Sequence, residues 1–320
     1  MRLRGIDFGP VLDASGVRGF FGEGYAHHAL WKPFGLSFEG STFVAKTTTL
    51  GPREGNMPLG ADLRPKELVP RCVIAKPLKG VALNAVGLSG PGAKALLETG
   101  RWQARTEPFF ISFMSVAPSA AARQRELEDF ICLCMEHLGG FQAPVGLQLN
   151  FSCPNVGIDP SRLIEEVAWA LRTASLPRVP LMPKFNVLLP PEAAAEIAGL
   201  PACDALCVSN TLPWGALPDR IDWQGLFGSA TSPLAHLGGG GLSGAPLLPL
   251  TGAWVRAARA AGVRKPINAG GGILRAADVD TLLDAGADSV FIGSMAILRP
   301  WRVARAIRRA RAAASRRLVK

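Results

Sequence analysis

The chain has 320 residues, 48% of them hydrophobic and 19% charged, a balance that builds a sizeable core and excludes a disordered chain. The net charge of +10 is concentrated: residues 299–320 carry eight arginines and one lysine without an acid, which leaves about +1 for everything before them. That basicity is one terminal helix and not a protein-wide field for nucleic acid. It reads either as a solvated helix or as a face for an anionic partner.

In chain order, the start MRLRGIDFGPVLDASG lacks the apolar core of a signal peptide. Nowhere do ~20 unbroken apolar residues follow one another, so a soluble, cytoplasmic protein without a transmembrane segment is expected. Short apolar strands are predicted at 41–47, 80–86, 108–114, 145–151, 180–186, 205–210, 265–270 and 288–294. Amphipathic helices are predicted at 90–99, 120–138, 160–175, 191–199, 246–262 and 275–285, with the basic helix 299–320 closing the chain. Eight strand–helix alternations in ~250 residues point to an α/β fold of the (β/α)8 TIM-barrel type. An open dinucleotide-binding sheet would want Gly-x-Gly-x-x-Gly directly after its first strand, and none follows residue 47. Two insertions, 48–79 and 212–243, follow strands and so belong on the catalytic face as lids or walls. No break in composition divides the chain, so one domain over 1–320 is expected, with the basic helix part of it.

The six cysteines and four histidines show no ligand spacing, and no metal site is expected. In a barrel the C-terminal strand ends converge. They carry Lys46 and Lys184, four asparagines (Asn84, Asn150, Asn155 and Asn210) and Cys153. Asparagines offer donors and acceptors without charge, which suits the edges of a planar heterocycle carrying amides. Carboxylates are absent from these ends, so paired-carboxylate chemistry is not supported. The glycine-rich ends NAGGG (268–272) and FIGS (291–294) each precede a helix and suit a phosphate held after the last two strands. Lys184 in MPKFN reads either as a partner for an anion or as a stem reaching solvent. Cys153 in NFSCPN reads either as a small buried filler or as a reactive group.

These motifs, taken together, resemble the dihydroorotate dehydrogenases, flavin enzymes of pyrimidine biosynthesis. LNFSCPN (149–155) is similar to that family's active-site segment. DASGVRG (13–19), FVAKTTTLGPREGN (43–56), LNAVGLSGPG (83–92), VSNT (208–211), GGGLSGAPLLPL (239–250), NAGGGI (268–273) and FIGSMA (291–296) resemble further family motifs in the family's order. Cysteine at position 153 resembles the soluble, cysteine-base (class 1) branch. The resemblance implies FMN-dependent oxidation of dihydroorotate to orotate, with Cys153 as general base and hydride transfer to the flavin N5. It implies that Lys46, Asn84, Asn150, Asn155, Asn210 and Thr211 bind substrate, together with the backbone of Val86, Gly87 and Leu88. It implies that FMN is bound by Ala14, Ser15, Gly16, Lys46, Thr47, Asn150, Lys184, Gly244, Gly271, Gly272, Gly293 and Ser294.

Val86 departs from the methionine common in the substrate loop, and MPKFNVLLPP and VSNTLPWG follow the family only around their key residues. Two other readings stay open: a paralogous flavin oxidoreductase for another dihydropyrimidine or cyclic amide, and a flavin-binding barrel whose arginine-rich tail docks an acidic subunit. A homodimer is implied by the resemblance. Fumarate as oxidant would need no partner. NAD would imply an electron-transfer subunit with its own flavin and iron–sulfur cluster, for which this chain offers no ligand set.

Overall fold

The computed structural model describes residues 1–151 and 160–318. The chain opens with strands β1 (Arg2–Leu3), β2 (Ile6–Asp7) and β3 (Val11–Asp13), then helix α1 (Ala26–Trp31), β4 (Val73–Lys76), β5 (Val81–Asn84) and α2 (Ala93–Glu98). There follow β6 (Phe109–Phe113), α3 (Ala120–Leu138), β7 (Val145–Asn150), α4 (Pro160–Ala174), β8 (Leu181–Phe185), α5 (Pro191–Gly199), β9 (Leu206–Val208), β10 (Leu212–Pro213) and α6 (Trp223–Phe227). The last elements are β11 (Gly241–Gly244), α7 (Leu247–Ala260), β12 (Ile267–Gly270), α8 (Ala276–Asp284), β13 (Ser289–Ile292), α9 (Ser294–Leu298) and α10 (Val303–Leu318).

Seven strands form one parallel sheet in the order β3-β13-β12-β9-β8-β7-β6. Residues 42–48 lie between its two ends, bridged in parallel from Thr42 to Leu12, from Val44 to Phe110 and from Thr48 to Phe113. They supply the eighth wall of a TIM-type barrel, as the alternating strands and helices require. Period-2 alternation sorts each strand's side chains. On β6 and β7, Phe109, Ile111, Phe113, Leu147 and Leu149 join the core beneath the helices. Ser112 and Gln148 point the other way and hydrogen-bond each other inside the barrel. Gly146 is glycine because a Cβ there would meet the Phe110 ring at 2.4 Å. The β1–β2 hairpin turns at Arg4 and Gly5, both left-handed, as a two-residue hairpin loop needs. It packs Leu3 and Phe8 into an inner cluster with Leu12, Val44, Phe110 and Met182 that fills the barrel floor.

One predicted strand is misplaced. The expected second barrel strand, 80–86, is β5, which lies in a separate antiparallel sheet ordered β10-β11-β5-β4. The true first strand is β3, whose three residues are too few to show a periodicity. β5 reads like a barrel strand because Val81, Ala82 and Leu83 are all buried. One face of its sheet covers an apolar cluster of Trp223, Phe227, Leu212 and Leu242, and the other faces the barrel mouth. An apolar run buried on both faces carries no signal of sheet type. The two insertions supply β4 and β10 of this sheet and thus act as walls of the mouth. β11 begins within the second insertion.

The basic C-terminal helix α10 is the last helix of the barrel. Val303, Ala306, Ile307, Ala310 and Ala313 are buried at helical spacing. Arg309 pairs with Asp280 of α8 at 2.8 Å, and Arg317 donates to the carbonyls of Leu283 and Ala287. Among the described residues no helix is long and apolar enough to cross a membrane.

Candidate active site

A cavity of about 1070 Å³ opens where the barrel strands end. Strand parity decides which side chains reach it. On β8, Lys184 follows Met182 by two residues and therefore shares its inward face. On β7, Asn150 stands in the same relation to Gln148, and Asn150 is directly opposite Lys184 in the ladder. Ala14, Ser15, Gly16, Lys46, Thr47, Asn84, Val86, Gly87, Leu88, Asn210, Thr211, Gly271, Gly293 and Ser294 line the same cavity. Cys153 and Asn155 lie outside the described residues. Gly244 and Gly272 are not part of the lining. Their missing side chains serve packing: a Cβ on Gly244 would meet the Gly80 carbonyl at 2.2 Å, and one on Gly272 the Leu248 amide nitrogen at 2.4 Å.

Lys184 is buried, and among the described residues its ammonium has neither a hydrogen-bond partner nor an ion pair. It lies 5.6 Å from the centre of the Phe291 ring. Burial lowers its pKa. A cation left this way is costly unless an anion arrives. Lys46 is also buried. Its ammonium donates to the Ser89 carbonyl and stands 4.8 Å over the Phe20 ring. Burial pushes Lys46 down to about 8, against a smaller upward pull from Glu23.

The asparagines do two jobs. Asn210 donates its side-chain amide to Asn150 Oδ1 at 2.9 Å and accepts the Thr211 amide on its own Oδ1 at 3.0 Å. Asn84 donates to the Gly241 carbonyl at 3.4 Å, tying β5 to β11 at the cavity wall. Beside it the chain turns through Gly87 (φ 71°) and Leu88 (φ 59°), two consecutive left-handed residues. This turn is fixed from behind. Asn56 donates its backbone amide to the Val86 carbonyl and its side chain to the Ala85 carbonyl. Arg53 donates to the Gly87 carbonyl. Among the described residues the amides of Val86, Gly87 and Leu88 donate to no protein acceptor, so the turn is a concavity suited to a carboxylate.

Just past the ends of β12 and β13, the amides of Gly271 and Gly293 likewise donate to no acceptor among the described residues. Gly271 is left-handed (φ 105°) and sits against Leu247 and Thr251. Thr47 is fixed by Ser15 at 3.0 Å and Ser112 at 2.9 Å, which continues to Gln148 and from there to Cys207. Burial pushes the Cys207 thiol up to about 12, so it stays neutral beneath Lys184. Free amides on one wall, a cation needing an anion, and neutral amide side chains between them fit a phosphorylated flavin with a planar ligand against it.

Tyr25, His27 and His28 on and before α1, and Leu68 and Val69 from the first insertion, also line the cavity. Sequence reasoning missed them, since α1 is a six-residue helix followed by Lys32 and Pro33 and carries no recognisable period.

Comparison with known proteins agrees with this geometry. The family model for dihydroorotate dehydrogenase matches residues 2–311. Among solved structures, the chain is similar to DHODH from Eimeria tenella in complex with ferulenol. The TM-score is 0.67 at 19% identity, covering 99% of this chain and 84% of that one, a likeness of fold. No curated protein matches the sequence. A match over nearly the whole chain, on a barrel whose mouth carries this set of residues, places the chain in the dihydroorotate dehydrogenase family, flavoprotein oxidoreductases that act on CH–CH bonds.

Proposed function

We propose that the protein oxidises dihydroorotate to orotate with bound FMN, and that Cys153 removes the C5 proton. The observation that carries this reading is the pairing, in one cavity, of the carboxylate-sized turn Val86–Leu88 with the Asn150–Asn210 pair. A ring with a carboxylate at one end and amides along its edges satisfies both at once. Dihydroorotate has that shape.

FMN, when bound, would supply a two-electron acceptor for the substrate's hydride. The chain's own residues do the rest. The amides of Val86, Gly87 and Leu88 hold the carboxylate and fix which edge of the ring faces inward. Asn84, Asn150 and Asn210 read the ring's N–H and C=O groups. Asn210 is itself held by Thr211, so little side-chain freedom is lost on binding. Lys184 would set a positive charge beside a flavin held in this cavity and favour an electron-rich ring, and Lys46 lines the same cavity. The amides of Gly271 and Gly293 would hold the flavin's phosphate. Cys153 accepts the proton as a thiolate, the basic form of the side chain.

The test is a single-turnover experiment. Purified protein saturated with FMN is yellow, and anaerobic dihydroorotate should bleach it. Cys153→Ala should keep the colour and lose the bleaching. Bleaching at the original rate in that variant removes Cys153 as the base. Colour without bleaching in the unmodified protein removes dihydroorotate as the substrate.

A further inference from the structure

A second cavity of about 480 Å³ lies on the far side of Tyr25 and His28, which line both cavities. It is large enough for a small organic molecule. Among the described residues, four buried side-chain polar atoms have no hydrogen-bond partner, and two of them belong to its lining: Arg105 Nε and His28 Nε2. Both are donors. Arg105 Nε always carries a proton. His28 accepts the Tyr25 amide on Nδ1 at 3.4 Å, which leaves the proton of the neutral ring on Nε2. Burial, reinforced by His27, Arg18 and Lys32, pushes His28 down to about 3, so the ring is neutral. Buried donors without acceptors are rare in native proteins and call for a partner.

Cations outnumber carboxylates in the cavity's lining by four to three. Arg18, Lys32, Arg64 and Arg105 line the cavity. Arg18 is bound to the buried Asp13 at 2.5 Å, but neither Arg105 nor Lys32 forms an ion pair among the described residues. Arg105 donates Nη1 to the Phe21 carbonyl at 3.3 Å, and its guanidinium lies over two rings, 4.1 Å from the Phe43 centre and 5.2 Å from that of Phe109. Glu107 of the lining and the neighbouring Asp13 act on Arg105 only through charge, with Arg18 opposing them. Glu23 spends both carboxylate oxygens on the amides of Phe20 and Phe21, while Glu39 and Glu107 are exposed at the rim.

We propose that this second cavity is a binding site for a small organic oxyanion, a phosphate ester or a carboxylate, held by Arg105 and His28 with Lys32 at its entrance. Two N–H donors without a partner, on residues of a lining that also carries the unpaired Lys32, are what such a group can use. The site shares Tyr25, Ala26, His28 and Arg64 with the main cavity but uses none of the residues assigned there to substrate or phosphate.

The probes are inorganic phosphate and malonate, titrated into FMN-saturated protein while the thermal midpoint is followed against chloride of equal ionic strength. A saturable rise with either ion is expected, since a ligand that binds only the folded state stabilises it. Its half-point should move up by about tenfold in Arg105→Gln and by a few-fold in Lys32→Gln, as expected when a charged hydrogen bond or a rim charge is lost. No saturable rise beyond chloride overturns the proposal, as does a rise unchanged in both variants. If Arg105→Gln does not fold, the exposed Lys32→Gln decides alone. A protein that takes up no flavin can be titrated in the same way. Neither variant lies in the main cavity, so failure of the oxidoreductase reading and failure of this one are separable.

Discussion

Asn210 donates its side-chain amide to Asn150 Oδ1 at 2.9 Å, joining the ends of β7 and the β9 loop across the intervening β8. The two residues are 60 positions apart, and each is fixed before any ligand arrives. The pair is therefore a preorganised edge against which a planar ring can rest.

Asn210→Ala removes the donor and leaves the Asn150 oxygen without its partner. Losing one such bond at a polar site costs ~1–3 kcal/mol, which corresponds to a fall of about 5- to 150-fold in kcat/KM for dihydroorotate. Flavin content, measured by absorbance per chain, should stay the same. Loss of flavin instead would mean that the pair holds the cofactor and not the substrate.

Lys46 gives a pH-dependent stability with a definite sign. Its pKa is about 8 when folded, against 10.5 for an ordinary lysine. Between those values the unfolded chain binds more protons than the folded one, so stability rises with pH. The penalty is present in full below pH 8 and is gone above 10.5. Flavin-free Lys46→Met should therefore be more stable than the parent at pH 7, on the order of 2 kcal/mol after the lost Ser89 hydrogen bond. The gap should close as the pH approaches 10.5. Denaturant unfolding of both proteins across that range checks it, and a constant gap would remove Lys46 as the cause.

Gly272 and Gly252 predict opposite outcomes for the same substitution. Gly272 is left-handed at φ 80°, and a Cβ there would meet the Leu248 amide nitrogen at 2.4 Å. Gly272→Ala should cost ~2–4 kcal/mol and lower the thermal midpoint. Gly252 lies inside α7 with only the end of the Arg256 side chain within reach, at 3.7 Å. Gly252→Ala should stabilise by ~0.5–1 kcal/mol through helix propensity. Calorimetry of the two variants reads both signs.

The alternation of apolar strands with amphipathic helices was legible from residues alone, because period 2 and period 3.6 are imposed by the backbone. So was the family, because the strand ends keep their residue types and their order. Arg309 and Arg317 show why the basic tail was harder to read: their partners, Asp280 and the carbonyls of Leu283 and Ala287, are close only once α10 lies on α8.

β5 could not be assigned to its sheet from its own residues, since burial on both faces erases the alternation that would have separated a cover sheet from a barrel wall. Residue order and periodicity are enough for the barrel, the family and the chemical types gathered at the mouth. Tertiary structure alone decided that Asn150 meets Asn210, that Lys184 is left without an anion among the described residues, and that Arg105 and His28 turn unmatched donors into a second cavity. Those facts depend on pairs far apart in the chain, and only packing brings their atoms within hydrogen-bond distance or keeps them out of it.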